Sequence, residues 1–195
     1  IGDTPYNIPG GSNQDRYPLM NPVVNGLVSR PPIYINGNDN FTPANGVTSG
    51  SGTDNDSYII ENWVINASGA TGIEIRNTTA YFIIRNCFVE NGGGSWKGIY
   101  FVNVGNGKIE NCTCDNNSYG ISLPYSNNNN TLTNNSCDNN KFDGIYLSSS
   151  SNNTLTNNTC SNNVYDGIEL YPSCNYNTLT LSLIHISEPT RQAEI

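Results

Sequence analysis

Carboxylates recur at a fixed interval in the second half of this 195-residue sequence. Asp115 and Asp138 occupy one position in successive repeats, Asp143 and Asp166 occupy another, and Glu169 follows Asp166 closely. If the repeats stack as parallel strands, equivalent carboxylates lie about 4.8 Å apart. Such groups can hold calcium, or act together on a glycosidic bond when they are about 5 to 9 Å apart. The spacing therefore points to cation binding or to carbohydrate chemistry.

Aromatic residues recur beside the glycine of the same repeats. Rings at this spacing can stack on sugar faces while neighbouring carboxylates bind the hydroxyl groups. The same rings would also stabilise a sheet by about 0.2 to 1 kcal/mol per stacked pair, and we favour this structural role. The candidate carbohydrate-binding residues are Trp96, Tyr100, Tyr119, Phe142, Asp143, Tyr146, Tyr165, Asp166 and Glu169.

The groups that would complete a catalytic or metal site are missing from the pattern. Lys141 is the only basic residue close to the later acidic positions, and the single histidine, His185, lies in an atypical C-terminal stretch. We therefore predict no catalytic residue, no metal-ligand set and no cofactor other than calcium at the carboxylates. Catalysis by these repeats is the less favoured hypothesis, and solvated carboxylates or a weak calcium site are favoured over it.

The six cysteines form no Cys-x-x-Cys pair. Cys114, Cys137 and Cys160 occupy one repeat position, and we interpret them as small buried apolar residues, because free cysteine is often fully buried. Cys87 and Cys112 share a second position and form the best candidate pair for a disulfide. Stacked side chains in register disfavour the dihedral angle that such a bridge needs.

These positions belong to an internal repeat with a period of roughly 22 to 25 residues, which is typical of solenoid proteins. Residues 129–151 and 152–174 are identical at 15 of 23 positions, and an apolar residue starts each repeat at Ile60, Ile84, Ile109, Leu132 and Leu155. Each repeat has room for short alternating strands and corners but not for a helix. Stacking buries the apolar positions in columns. The sequence predicts an all-β fold, a parallel β-helix (solenoid) of about five to six coils with an irregular N-terminal segment.

Asparagine, which occurs 35 times, is expected at the corners of the coils. It tolerates the backbone angles of a corner, and its carboxamide can bond to the equivalent group in the next coil. We predict an inward-facing ladder at Asn62, Asn86, Asn111, Asn134 and Asn157.

Asn-x-Ser/Thr sequons are frequent, as chance predicts for this composition. We expect the ladder sequons at Asn111, Asn134 and Asn157 to be turned inward. If the protein is exported, the plausible glycan acceptors are Asn55, Asn129 and Asn152.

Composition and charge exclude several classes of partner. The net charge of −8 and the scattered basic residues argue against nucleic acid, which requires clustered Lys and Arg. A membrane-spanning helix needs an uninterrupted apolar run of about 18 residues or more, and the sequence contains no such run, so it predicts no membrane span.

Four segments are predicted along the chain. Residues 1–30 are the tail or linker of a preceding repeat block, residues 31–56 form a strand, loops and an N-terminal cap, and residues 57–180 form the β-helix. Residues 181–195 break the pattern abruptly and resemble a translated sequencing adapter, so we interpret them as a non-native tail.

The repeat N-x-[IL]-x-N-N-x-C-x-x-N-x-x-x-G-I-x-L resembles NosD-like right-handed β-helix repeats, which are grouped with carbohydrate-binding and sugar-hydrolase proteins. The stretches "IGDTPYNIPGGSNQDRYPLMNP", "FTPANGVTSGSGTDNDSYIIENW" and "IRNTTAYFIIRNC" resemble parts of repeat blocks in archaeal surface proteins. The resemblance covers nearly all of residues 1–180 and implies a piece of a longer protein, truncated at both ends. The Gly-His-Gly of β-helix polygalacturonases is absent.

Three functional hypotheses follow. The first is a non-enzymatic extracellular or cell-surface module that spaces, adheres or assembles end to end with other copies of itself. The second is a carbohydrate-binding or polysaccharide-cleaving β-helix protein, which would be a lyase or glycoside hydrolase. The third, implied by the NosD resemblance, is a copper-handling accessory protein, although the sequence assembles no metal-ligand residues.

Overall fold

The computed structural model of the chain describes residues 23–24, 26–180 and 182–185. Short strands joined by tight corners make up nearly all of this part, together with two 3-10 turns at Asn38–Asn40 and Pro43–Asn45. The strands are β1 (Val23–Val24), β2 (Leu27–Arg30), β3 (Ile33–Asn36), β4 (Val47–Ser49), β5 (Tyr58–Glu61), β6 (Trp63–Asn66), β7 (Ile73–Thr78), β8 (Phe82–Arg85), β9 (Phe88–Glu90), β10 (Ile99–Val104), β11 (Gly107–Glu110), β12 (Thr113–Asp115), β13 (Ile121–Pro124), β14 (Thr131–Thr133), β15 (Ile145–Ser148), β16 (Thr154–Thr156), β17 (Thr159–Ser161), β18 (Ile168–Leu170), β19 (Thr178–Thr180) and β20 (Leu183–His185).

Three sheets run along the molecule, and most coils contribute one strand to each sheet. The first sheet has the order β1-β2-β6-β9-β12 and continues through isolated bridges to β17, which pairs with β20. The second has the order β3-β7-β10-β13-β15-β18, and the third β4-β5-β8-β11-β14-β16-β19. All pairs are parallel except β1 with β2 and β4 with β5. This arrangement, which has about five coils, confirms the predicted right-handed parallel β-helix.

The parallel sheets begin before residue 57, where the sequence analysis placed the first coil. Ile33 pairs with Ile73, and Val28 pairs with Trp63, so β2 and β3 already belong to the stack. The coil that contains β2 and β3 lacks the asparagine pattern, so the sequence repeat did not reveal it. Most of segments 1–30 and 181–195 lies outside the described residues, although β20 pairs in register with β17.

The predicted apolar columns form the core. Ile60, Ile84, Ile109, Leu132 and Leu155 are opposite one another in successive coils. Each of these side chains is at most 1% exposed. A second column follows the glycines, and a third contains Cys114, Cys137 and Cys160, none of which is exposed. Because one coil cannot enclose its own apolar face, the stacking itself creates the core.

The predicted inward ladder is wrong in position. Asn86, Asn111, Asn134 and Asn157 are exposed and Asn62 is half-buried, and all five have positive φ angles between 52° and 60°. The left-handed corner interrupts the strand alternation, so the following residue points inward instead. Only the pair Asn134 and Asn157 makes a carboxamide bond, and that bond, from Nδ2 of Asn157 to Oδ1 of Asn134, lies on the surface at 2.7 Å.

Buried asparagine ladders are present, but at other corner positions of the coils. In each one, a carboxamide oxygen accepts from the backbone N–H of the preceding coil, at distances between 2.8 and 3.0 Å. The three columns are Asn117-Asn140-Asn163, Asn135-Asn158 and Asn130-Asn153-Asn177. In the described residues no buried side-chain polar atom lacks a partner. The ladders thus satisfy the corner amides that the sheets cannot pair.

A column of glycines sets how closely the coils approach at one corner. A Cβ built on Gly120 would lie 2.6 Å from the carbonyl oxygen of Gly144, and one built on Gly144 would lie 2.6 Å from that of Gly167. These distances are too short for any side chain. Glycine is therefore required by the close packing of successive backbones at this corner.

Candidate functional site

Five aromatic rings form a continuous strip on the outside of the second sheet and the corner before it. The ring centroids of Tyr119 and Phe142 are 5.1 Å apart, and those of Phe142 and Tyr165 are 5.5 Å apart. Tyr146 joins the strip 5.3 Å from Tyr119, and Tyr171 follows 6.4 Å from Tyr146. We call these five residues the aromatic strip. The parallel register of β13, β15 and β18 brings rings of successive coils close together, although Tyr146 itself is paired with Ser122 and Glu169.

Two of the predicted aromatic residues lie apart from the strip. Trp96 is 40% exposed, and its ring pairs with no other ring in the described part of the chain. It sits in a glycine-rich turn, where its carbonyl oxygen accepts bonds from both the amide and the hydroxyl of Ser118 at 2.8 Å. Tyr100 is instead flanked by the cations of Arg76 and Lys97, which lie 5.2 and 5.3 Å from its ring centroid.

Three carboxylates meet beside the strip, as the sequence predicted. Asp143, Asp166 and Glu169 can place one oxygen each within 4.8 Å of the others. The backbone N–H of Asp166 donates to Oδ1 of Asp143 at 2.9 Å, while Asp143 is only 2% exposed. Burial, reinforced by the charges of Glu169 and Asp166, raises the pKa of Asp143 to about 6.

The carboxylate cluster also acts on the aromatic strip electrostatically. The pKa of Tyr119 is raised, first by burial and then by the negative charges of Asp143 and, to a smaller extent, Glu169. The phenol therefore stays protonated and can donate a hydrogen bond. Rings and carboxylates thus form one surface with stacking faces, donors and acceptors.

Asp143, Asp166 and Glu169 are the residues that could hold a divalent cation. Calcium takes six to eight oxygen ligands at about 2.3 to 2.6 Å, so three carboxylates supply only part of a coordination shell. A proton competes with the cation for the carboxylate of Asp143, because the pKa of Asp143 is about 6. Calcium at this cluster remains a prediction.

The other acidic column has a structural role. Oδ1 of Asp115 accepts from the N–H of Asp138 at 2.8 Å, and Oδ1 of Asp138 accepts from the N–H of Ser161 at 2.5 Å. These carboxylates therefore pair with backbone amides of the next coil, much as the asparagine ladders pair with those of the preceding one. Burial raises the pKa of Asp115.

A groove of about 450 Å³ adjoins the strip. Its walls include Asn116, Asn139 and Asn162, one exposed left-handed residue from each of three coils, together with Lys141. Nζ of Lys141 lies 5.7 Å from the ring centroid of Phe142, which places the cation between groove and strip. Sequence reasoning missed this groove because the repeat of Asn116, Asn139 and Asn162 was not read as a surface feature. It missed Tyr171 because no repeat column continues at that position.

The glycan and cysteine predictions have different outcomes. Asn55, Asn129 and Asn152 are exposed, as a glycan acceptor must be, but their glycosylation remains a prediction. Asn111, Asn134 and Asn157, expected to face inward, are exposed as well.

All six cysteines are free, including Cys87 and Cys112, whose thiols make weak contacts to backbone carbonyls instead of bonding to each other.

Comparison with known proteins supports the architecture. A sequence profile described as "Right handed beta helix region" matches residues 33–184, which is more than half of the chain. The chain has no significant match among curated proteins or solved structures. No helix in the described ranges has the length and apolar character needed to cross a membrane. The in-register coils and the profile match lead to one conclusion: the chain belongs to the right-handed β-helix family.

Proposed function

We propose that the chain is a non-catalytic, rod-like module of an extracellular or cell-surface protein. The observation that supports this most strongly is the continuous set of buried ladders and apolar columns, which joins each coil to the next. A stack of this kind has no hinge between coils and is suited to spacing or adhesion.

The finer family assignment is part of the same proposal. The chain is NosD-like and derives from an archaeal surface protein, with glycans at Asn55, Asn129 and Asn152 and a non-native stretch at 181–195. The support is the repeat pattern, the exposure of the three asparagines and the abrupt change of composition. Copper handling in the NosD sense is the less favoured variant, and retention of stoichiometric copper after dialysis would favour it.

The rod proposal is tested by shape and by activity together. Small-angle X-ray scattering of the purified chain should show particles that lengthen at constant cross-section as copies join end to end, because about five coils at about 4.8 Å each give a single chain little length of its own. Incubation with neutral and acidic polysaccharides, with calcium or with a chelator, should release neither reducing ends nor unsaturated ends. If products appear, and Asp143→Asn abolishes them, the chain is an enzyme and the proposal is wrong.

End-to-end assembly is the partner interaction that we propose for the rod. In the described residues, β18 and β19 are the last strands of the second and third sheets, and each pairs on one side only. Such edges can add a further strand from another molecule. Sedimentation velocity over a range of concentrations should show oligomers, and a strictly monomeric chain at all concentrations would contradict this interaction.

A second candidate function is carbohydrate binding at the aromatic strip. Tyr165 is 64% exposed and Tyr171 is 53% exposed, so their faces are open to a ligand. Their ring centroids lie 5.5 Å from that of Phe142 and 6.4 Å from that of Tyr146, respectively. Rings spaced in this way, beside carboxylates and the carboxamides of the groove, match the apolar faces and hydroxyl groups of a sugar chain. This surface would serve adhesion without any catalytic step.

The binding candidate is tested with a matched aromatic control. Isothermal titration against a panel of oligosaccharides should identify a ligand whose affinity falls in Tyr165→Ala and Tyr146→Ala. Tyr34→Ala is the control, because Tyr34 is 55% exposed on the same sheet but outside the strip. Equal loss in all three variants, or no binding to any glycan, would contradict this function.

A further inference from the structure

Six threonines form a regular array on the outer face of the third sheet. Strands β14, β16 and β19 each read Thr-Leu-Thr and pair in parallel register, so that threonine lies beside threonine in both outward positions. The inward Leu132 and Leu155 are at most 1% exposed. The threonine array consists of Thr131, Thr133, Thr154, Thr156, Thr178 and Thr180.

The array has two fixed repeats. Neighbouring coils place equivalent threonines about 4.8 Å apart, and the two threonines of one strand are about 6.6 Å apart, since each residue advances roughly 3.3 Å. The apolar column and the asparagine ladders hold these distances from beneath. The result is a rectangular pattern of hydroxyl and methyl groups on a rigid support.

None of the six hydroxyl groups makes a hydrogen bond within the described part of the chain. Hydroxyl groups elsewhere on the coils do so: Ser118 donates to a carbonyl at 2.8 Å and Ser150 at 2.9 Å. Each array hydroxyl therefore has a donor and an acceptor site available to an external partner. A partner whose own groups repeat in two dimensions at these spacings can engage all six at once.

The chemistry of the array indicates which partner this is. Across these three coils the strands carry no aromatic ring and no charge, in contrast to the aromatic strip on the second sheet. A sugar chain would lack a stacking platform here, whereas water molecules can satisfy every hydroxyl. Water in an ice crystal repeats in planes with spacings of a few ångströms, comparable with both repeats of the array. We propose that the threonine array binds the surface of ice.

The preceding coil supplies a natural contrast. Lys108 and Glu110 occupy the two outward positions in register with Thr131 and Thr133, and they form an ion pair at 2.5 Å. The array therefore ends at β14 on that side. The same coil shows that the fold accepts long charged side chains at these positions, which permits a substitution that removes the array without disturbing the core.

The test measures ice growth directly. Thermal hysteresis and inhibition of ice recrystallisation should be present in the unaltered chain. They should be lost, down to the level of lysozyme, in the double variant Thr154→Lys with Thr156→Glu, which copies the Lys108 and Glu110 pattern. Thermal melting followed by circular dichroism should show that this variant keeps its fold, and Tyr34→Ala, which lies on the second sheet outside the threonine array and the aromatic strip, should keep full activity.

A gain-of-function variant adds a test whose expected result cannot be caused by damage to the fold. Lys108→Thr with Glu110→Thr adds a fourth Thr-x-Thr row and should increase thermal hysteresis. No activity in the unaltered chain, or equal activity in the Thr154→Lys and Thr156→Glu variant, would overturn the proposal. Binding to microcrystalline cellulose or chitin that depends on the threonines, with no effect on ice, would also overturn it and assign the array to a polysaccharide.

Discussion

The backbone N–H of Asn117 donates a 2.9 Å hydrogen bond to Oδ1 of Asn140, which lies one coil further along the helix. The N–H of Asn140 donates in the same way to Oδ1 of Asn163, also at 2.9 Å. At these corners the backbone leaves the sheet, so an amide would otherwise be buried without a partner. The carboxamide column therefore links the coils where the sheets do not.

Replacing a ladder residue should cost more than replacing its exposed neighbour. Asn140→Ala leaves the amide of Asn117 buried and unpaired, so we expect a loss of about 1 to 3 kcal/mol in the free energy of unfolding. Asn139→Gly is the control, because Asn139 is exposed with a φ of 57°, an angle that glycine adopts freely. Urea unfolding of both variants measures the difference, and equal losses would show that the ladder contributes nothing specific.

Gly120→Ala should destabilise the coil stack. Its Cβ would meet the carbonyl oxygen of Gly144 at 2.6 Å and Cβ of Cys137 at 2.8 Å, so two coils must separate locally. We expect a loss of about 1 to 3 kcal/mol, as for other overpacked sites. Gly69→Ala, where no atom lies within 4 Å, should be neutral or slightly stabilising. A stable Gly120→Ala chain with unchanged melting would contradict the close backbone approach at this corner.

The architecture could be predicted from sequence because the apolar period is a direct consequence of stacking. Ile109 and Leu132 recur at one repeat position, and they pair in the structure. At Asn134 the predicted ladder lies one residue away from a real one, because Asn134 and Asn135 are chemically identical in sequence. After Asn86 and Asn111 the buried residue is a cysteine, so no ladder runs there. Strict alternation along the strand puts Asn134 inside, but its left-handed φ of 56° breaks the alternation and turns Asn135 inward.

The candidate site was predicted only where it follows the coil period. Tyr119, Phe142 and Tyr165 recur every 23 residues just before the glycine of each coil, so their proximity could be inferred. Tyr171 belongs to a position filled by Ser148 in the preceding coil, and no column indicates its contact with Tyr146. Trp96 is separated from the strip because Ser118, which carries no ring, lies between it and Phe142 in the intervening coil.

Thiol labelling should distinguish one cysteine from the other five. Cys87, Cys112, Cys114, Cys137 and Cys160 are at most 2% exposed, whereas Cys174 is half-buried. Burial raises the pKa of Cys112 and Cys137 well above the ordinary thiol value, which further lowers their reactivity. In native buffer we expect one fast thiol per chain with Ellman's reagent, and six after unfolding in urea. Loss of the fast phase in Cys174→Ser confirms its origin, while several fast thiols in that variant would show that the core is open.

Asp143 should make the chain less stable as pH rises. Its pKa is about 6 in the folded state against about 3.9 for an unperturbed aspartate, so the folded chain binds more protons between these values. Stability therefore falls as pH increases from about 4 to about 6 and then levels off, as far as this group is concerned. Asp143→Asn should remove this part of the dependence.

The pH effect is measured by comparing melting temperatures of the two chains across this range. The groups that face Asp143 are Asp166, Glu169 and Tyr119, and the first two raise its pKa. Asp166→Asn should therefore shift the transition to lower pH without abolishing it. Parallel pH profiles for the unaltered chain and Asp143→Asn would mean that Asp143 titrates as an ordinary exposed aspartate.

The register of the coils is the central claim, and methyl NOE spectroscopy tests it most directly. With Ile and Leu methyl groups labelled, the account predicts cross-peaks that join Ile84 to Ile109, Ile109 to Leu132, and Leu132 to Leu155, since these residues are paired in successive coils. Cross-peaks that connect any of these methyl groups to a different set of residues, with the predicted ones absent, would contradict the stacked columns and the sites built on them.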